Sequence, residues 1–231
     1  MNYLSLFTGA GGGDLAAQHL HNPQWRCLGY VEWDDYCQRV IAQRIEDGLL
    51  DRAPIFGDVR EFVESGAAAE YRGVADVVTG GFPCQPFSVA GKGLGADDPR
   101  NMWPATLGVL RAVRPRFAFL ENVPGLLAGP YWGTILGDLA KAGYDAEWVV
   151  LGASDVDAPH RRKRLWVVAH AAGQQDDAEH DRPRGLGMRG RQPVETGSEA
   201  TRPEDGEASD DGAWGCSEVV AHANTQRLAF W

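Results

Sequence analysis

Short apolar runs alternate with helix-like segments from residue 3 to about residue 170, and this alternation constrains the fold more than any other feature of the chain. The apolar runs at residues 3–7, 27–31, 75–79, 117–120, 146–151 and 165–169 read as strands, with 54–56 as a shorter one. Between them, residues 14–20, 34–46, 103–113 and 132–142 read as helices. Strands and helices taken in turn predict an α/β fold: a doubly wound, mostly parallel sheet with helices on both faces. Ligand sites in such sheets lie at the carboxyl ends of the strands. The informative side chains are therefore those that follow a strand.

After Ala171 the character changes. Residues 172–218 are rich in Gly, Asp, Glu, Arg, Pro, Ser and Thr and show almost no apolar periodicity, so this stretch is expected to pack poorly. The boundary also divides the charge. Residues 1–170 carry 16 basic and 20 acidic residues, whereas residues 171–231 carry 6 and 12, so most of the net charge of −10 lies in the last quarter. Arg161, Arg162, Lys163 and Arg164 form a basic run inside the acidic chain. Salt screens charges beyond about 10 Å, so a local basic site can hold phosphate whatever the total. Charge alone neither supports nor excludes a nucleic-acid partner. Cys27, Cys37, Cys84 and Cys216 are scattered without metal-ligand spacing. That pattern argues against a disulfide framework or a metal site and fits a reducing cytoplasm. No apolar run reaches the roughly 18 residues of a membrane span, and no secretory signal pattern opens the sequence.

Five motifs carry chemistry. LSLFTGAGGGDLAA runs from a strand through a Gly-rich turn into a helix, where backbone can approach a ligand and free N–H groups await it. Glu32 ends the next strand, 21 residues after Gly11, a spacing that suits a carboxylate on ribose hydroxyls. Trp33 is then placed to stack on an adenine and Asp58 to accept from its amino group. GGFPCQPFSVAGKG sets Cys84 between Pro83 and Gln85 beyond a strand end, and these flanks favour an exposed, nucleophilic thiol over a core cysteine. FLENVPGLL places Glu121 and Asn122 after a run of Phe and Leu; a carboxyl among apolar groups becomes an acid near neutral pH. GASDVDAPHRRKRLWVVA puts Arg162 and Arg164 two residues apart, on one side of an extended stretch, as forks for a carbonyl oxygen or a phosphate.

In this order the blocks FTGAGGGD, VEWDDYC, GDV, GGFPCQPFS, ENV and ASDxxxPxRRKR resemble the successive motifs of DNA cytosine-5 methyltransferases, over about residues 3–170. The resemblance implies the Rossmann-like fold of methyltransferases that use S-adenosyl-L-methionine, with double-stranded DNA as partner and a cytosine flipped out of the duplex. It implies that Phe7, Gly9 and Gly11 shape the cofactor pocket, Glu32 holds the ribose, Trp33 packs on the adenine, and Asp58 with Val59 takes the adenine edge. It implies that Pro83 orders the nucleophile loop and Cys84 is the nucleophile. Glu121 would contact ring nitrogen 3 and the amino group of the cytosine, and Arg164 its 2-carbonyl oxygen, with Arg162 supporting the site. Gln85, Ser88, Arg161 and Lys163 are assigned to DNA contact. The implied division is a catalytic and cofactor-binding domain at 1–171 and a polar, acidic tail, or the start of a recognition region, at 172–231.

The chain departs from the family's pattern in two places. His160 stands where members commonly carry Gln before the Arg pair. After Ala169 the family's recognition domain and terminal motifs are not found. The expectation is a catalytic half completed by a second chain, or a truncated remnant that binds cofactor without methylating. A NAD(P)-binding Rossmann protein is a further rival, but it leaves Cys84 unexplained; an interaction protein working through its acidic tail is another. The expected location is the cytoplasm of a prokaryotic or viral system, at the nucleoid. The residues do not distinguish a restriction system from a solitary methylase.

Overall fold

The computed structural model of the chain describes residues 1–20, 24–83 and 101–173. Among the described residues, seven strands form one sheet: β1 (Asn2–Leu6), β2 (Arg26–Val31), β3 (Ile55–Phe56), β4 (Val77–Gly81), β5 (Phe117–Asn122), β6 (Tyr144–Gly152) and β7 (Lys163–Ala171). Their order across the sheet is β3-β2-β1-β4-β5-β7-β6. β1 to β5 pair in parallel, and β7 runs antiparallel between β5 and β6. The expected mostly parallel sheet is present, with the chain crossing from β1 outward in both directions.

Helices flank the sheet, five among the described residues: α1 (Gly12–Gln18), α2 (Asp35–Glu46), α3 (Val59–Glu64), α4 (Trp103–Val113) and α5 (Tyr131–Lys141). Asp34 caps α2 by accepting from the Cys37 N–H, and Asp58 caps α3 in the same manner from the Arg60 N–H. α4 buries Trp103, Leu107, Leu110 and Val113, the helical spacing of one apolar stripe. Two cores result. One joins Leu4, Leu6, Val78 and Leu120 of the sheet to Phe62, Leu110, Ile135 and Leu139. The other joins Tyr3, Tyr30 and Val77 to Ile41 and Leu50, with Leu15 and Ile45 beside them. Helices thus cover both faces, as a doubly wound sheet requires.

An apolar strip stays open. Cross-strand register puts Phe119 opposite Val168, and Trp166 opposite Val149. Residues alternate between faces, so these four and Leu151 share one side of β5–β7–β6. Phe119, Val168, Val149 and Leu151 are 39% to 43% exposed, and Trp166 stacks on Phe119 at 5.2 Å.

Three details depart from the pattern read in the sequence. β4, expected at 75–79, begins at Val77 and continues through Gly80 and Gly81, which pair with Leu120 and Glu121. Phe7 lies past β1 with φ 53, out of the extended conformation. The six-residue α3 is missing from that pattern because so short a helix carries too little periodicity to read.

Candidate cofactor and active site

The Gly-rich turn is built from its backbone outward. Gly11 has φ 78, a conformation natural only to glycine, and its N–H donates to the Thr8 carbonyl at 2.9 Å. A β-carbon on Gly11 would meet Leu50 Cδ1 at 3.0 Å. Thr8 N–H donates to the Val31 carbonyl at 3.3 Å, which ties the turn to the end of β2. From the last turn of α2, the Arg44 guanidinium donates to the Ala10 carbonyl.

Glu32 stands at the end of β2 and is buried. Its Oε2 accepts from the Gly9 N–H at 2.6 Å and its Oε1 from the Asp34 N–H at 2.8 Å. One carboxylate therefore locks the turn after β1 to the turn after β2. Trp33 is 72% exposed beside it, so its ring is open to a flat ligand. Val59 is buried as the first residue of α3. Asp58 accepts from Arg60, with Oδ2 2.5 Å from Arg60 Nη2. The hydrogen bonds from Arg60 hold its carboxyl below the usual carboxylate range. The acceptor expected for an adenine amino group thus already carries a guanidinium. The remaining set, a glycine turn, a buried carboxylate and an exposed indole on adjacent strand ends, fits the ribose and purine of a nucleoside-bearing cofactor.

Beneath the turn lies a polar chain that the motifs do not single out. Thr8 Oγ1 donates to Ser5 Oγ at 3.2 Å, and Ser5 Oγ donates to Asp14 Oδ2 at 3.1 Å. Asp14 is 3% exposed, and burial pushes its carboxyl up to about 6. Neither Asp14 Oδ1 nor the Tyr3 hydroxyl completes a hydrogen bond.

A second group of residues gathers where β4 and β5 end and β7 begins. Pro83 is exposed two residues past β4; Cys84, Gln85 and Ser88 lie outside the described residues. Glu121 and Asn122 are the last two residues of β5. The register sets Glu121 opposite Trp166, and Arg164 lies two residues along on the same side. Arg164 Nε stands 2.5 Å from Glu121 Oε1. Desolvation raises the Glu121 carboxyl above its ordinary range, and the attraction of Arg164 and then Arg162 partly offsets this. Gly81 makes the arrangement possible: a β-carbon there would lie 3.1 Å from Glu121 Oε2. On the opposite side, buried Asn122 donates from Nδ2 to the Phe82 carbonyl at 3.0 Å. The ENV block names Asn122 in the sequence, but nothing there shows what it binds. Arg162 precedes β7, and its carbonyl accepts from the Ala153 N–H. His160, Arg161 and Lys163 are exposed along the same approach.

Comparison with solved structures defines the class first. The chain superposes on DNMT2 of Spodoptera frugiperda with a TM-score of 0.59 at 19% identity, covering 75% of this chain and 51% of that one. It superposes on Dnmt2 methyltransferase of S. pombe with a TM-score of 0.58 at 21% identity, covering 74% and 51%. The fold is therefore the Rossmann-like one that these solved structures share. More narrowly, residues 1–203 match the model of the C-5 cytosine-specific DNA methylases, and the chain belongs to that family. It is 34% identical over 170 residues to the type II methyltransferase M.NgoMIV of Neisseria gonorrhoeae, covering 72% of this chain and 50% of the relative. To M.BsuFI of Bacillus subtilis it is 33% identical over 172 residues, covering 73% and 39%. The chain spans half or less of the length of these two relatives. Members of the family take their methyl group from S-adenosyl-L-methionine. Among the described residues no helix is long and apolar enough to cross a membrane.

Proposed function

We propose that this chain carries the catalytic half of a DNA cytosine-5 methyltransferase, with Cys84 as nucleophile, and that it transfers a methyl group to carbon 5 of a flipped cytosine. The observation that carries this reading is the Glu121–Arg164 pair, held at the strand ends beside the β4 exit that leads through Pro83 to Cys84. The bound cofactor supplies an electrophilic methyl on a sulfonium. Glu32 and Trp33 would hold its nucleoside end, with Phe7, Gly9 and Gly11 shaping the pocket and Asp58 with Val59 at the adenine edge once Asp58 shares or releases Arg60.

Carbon 5 of cytosine is a poor nucleophile until the ring loses its aromaticity. The Cys84 thiolate adds to carbon 6, and the ring becomes an enamine with electron density on carbon 5. Glu121, its carboxyl raised by desolvation, donates toward ring nitrogen 3, and Arg164 holds the 2-carbonyl oxygen; both stabilise charge as it develops. The enamine carbon 5 would then be the acceptor for the methyl that the bound cofactor supplies. A base then removes the carbon 5 proton, the double bond re-forms and the thiolate leaves. Arg162 supports the site, and Arg161 and Lys163, with Gln85 and Ser88, are assigned to DNA contact. Extruding the cytosine costs a few kcal/mol of stacking.

A second chain that supplies the polypeptide the relatives carry beyond the matched region is part of this proposal. The open apolar strip at Phe119, Trp166 and Val149 supports it. The alternative is a remnant that binds cofactor and methylates nothing. The proposed division remains 1–171 as catalytic domain and 172–231 as tail, in a cytoplasmic, nucleoid-associated enzyme of the restriction–modification type that the relatives' names describe.

The test is trapping on duplex DNA that carries 5-fluorocytosine, with and without an added C-terminal polypeptide from a relative. The fluorine blocks the final proton loss, so the parent forms a stable covalent adduct and Cys84→Ser forms none. Methyl incorporation that survives in Cys84→Ser overturns the mechanism. Cofactor binding without an adduct under either condition selects the remnant.

A further inference from the structure

We propose that Asn122 is a positioning residue for the nucleophile. Its carboxamide acts as one more rung beyond the β4–β5 ladder and sets the direction in which the chain leaves Phe82 toward Cys84. This rests on Cys84 being the nucleophile.

The β4–β5 pairing ends with Gly81 opposite Glu121. One residue further, the Phe82 carbonyl accepts from a side chain, Asn122 Nδ2, at 3.0 Å. Asn122 Oδ1 in turn accepts from the Val123 N–H at 2.8 Å. These two bonds fix the orientation of the amide. A flipped amide would set oxygen against oxygen at Phe82 and nitrogen against nitrogen at Val123. Asn122 is 3% exposed, so water offers neither group a substitute partner.

Phe82 is held at its other end too. Its ring is buried and packs on Trp103, at the start of α4, with centroids 5.4 Å apart. Pro83 follows, and its ring restricts φ to near −65°. Between the ladder and Cys84 there are two residues: one is clamped by ring and carbonyl, the other is stiff by its own chemistry. The neighbours Glu121 and Asn122 then divide the work across the pleat. Glu121 faces Arg164 on one side, and Asn122 anchors the nucleophile's approach on the other.

Asn122→Asp tests the donor. An ionised carboxylate would oppose the Phe82 carbonyl, acceptor to acceptor; a protonated one would donate and restore the rung. A misplacement on the order of 1 Å lowers a rate about 100-fold. Adduct formation on 5-fluorocytosine duplex by Asn122→Asp at pH 8 is expected to fall by about that factor. Taken as a ratio to the parent at the same pH, it should recover as pH is lowered toward 6. Cofactor affinity by calorimetry should stay within about threefold of the parent. Asn122→Ser, neutral and small, should show the loss without the recovery, and it carries the test should the Asp variant fail to bind cofactor. If the parent itself traps no DNA, the methyltransferase reading fails. Positioning is then read from iodoacetamide alkylation of Cys84 by peptide mass spectrometry, where both variants should differ from the parent by at least about fivefold. Parent-like adduct rates at pH 8, parent-like alkylation, or a loss matched by equal loss of cofactor affinity would each overturn the proposal.

Discussion

Replacing Asp14 by Asn should stabilise this protein at neutral pH, although it removes a buried charge that lies under the cofactor turn. Asp14 is enclosed, and burial is the dominant cause that pushes its carboxyl up to about 6. The Tyr3 and Ser5 hydroxyls oppose the shift without cancelling it. An unfolded Asp titrates near 3.9, and a tenfold change is about 1.4 kcal/mol, so the gap corresponds to about 3 kcal/mol. The sign follows from proton binding. Between about pH 4 and pH 6 the folded state holds more protons than the unfolded one, so stability falls as pH rises through that window and levels off above it. Asp14 also sits in the first turn of α1, where the helix dipole favours a negative charge by about 0.3–1 kcal/mol, too little to reverse the balance. In the Asp14→Asn variant the carboxamide oxygen keeps the Ser5 hydrogen bond, and the carboxamide nitrogen can donate to the neighbouring Tyr3 hydroxyl. Urea unfolding followed by tryptophan fluorescence should show Asp14→Asn more stable than the parent by about 1–3 kcal/mol at pH 7.5, with the difference vanishing near pH 4. A variant less stable at pH 7.5, or a difference that does not change between pH 4 and 6, would refute the reasoning.

Two further expectations concern the site. Gly81→Ala brings a β-carbon to 3.1 Å from Glu121 Oε2 while Arg164 holds the other oxygen, so the carboxylate must tilt. Adduct formation on 5-fluorocytosine duplex should drop at least about tenfold with cofactor affinity unchanged, since misplaced catalytic groups lose rate and not binding; an unaltered rate would show that the close approach is dispensable. Trp33→Ala removes an exposed ring, so chemical denaturation should change by less than about 0.5 kcal/mol. Calorimetry should show cofactor binding weakened about tenfold, the equivalent of about 1–1.5 kcal/mol of stacking; unchanged affinity removes Trp33 from the pocket.

The legible parts of this fold are those in which local pattern and global role coincide. β1, β2, β5 and β7 are apolar runs because helices or neighbouring strands enclose them, and the pattern places each within two or three residues of its observed ends. The reversal of β7 is less open to reading, yet a trace of it exists. A parallel return needs a crossover of a dozen or more residues. The stretch from β6 to β7 holds only a short 3-10 turn, Ala153–Val156, and no helix. The acids of the site are legible because each follows a strand at a telling distance. Their partners are not. Asn122 finds Phe82 40 residues away, and Glu32 finds Gly9 23 residues away, so those bonds exist only after the sheet has assembled. The polar chain from Thr8 to Asp14 is local in sequence, but no pattern separates such a buried acid from an ordinary first-turn helix residue.

Glu32 and Glu121 show how one residue type is given two kinds of chemistry by its partners. Both stand where a parallel strand ends, and both lie at the same edge of the sheet. Glu32 accepts from two backbone N–H groups, one on each of its oxygens, and those donors belong to turns that the fold fixes rigidly. Such a carboxylate is a fixed acceptor, suited to hydroxyl groups that donate to it and to little else. Glu121 has Arg164 as its side-chain partner among the described residues, and an apolar surround that disfavours its charge. Under the proposed mechanism this raised carboxyl is what would let Glu121 donate toward a ring nitrogen. In the same proposal the Arg164 fork, held beside Glu121, is the group offered to the carbonyl oxygen. Exchanging the two surroundings would defeat both roles: a doubly bonded Glu121 could not donate, and a desolvated Glu32 would let go of the turn that shapes the cofactor's seat. The difference lies in backbone N–H groups and one guanidinium, so the same letter in the sequence marks a clamp between two turns at position 32 and, in the proposed mechanism, an acid at position 121.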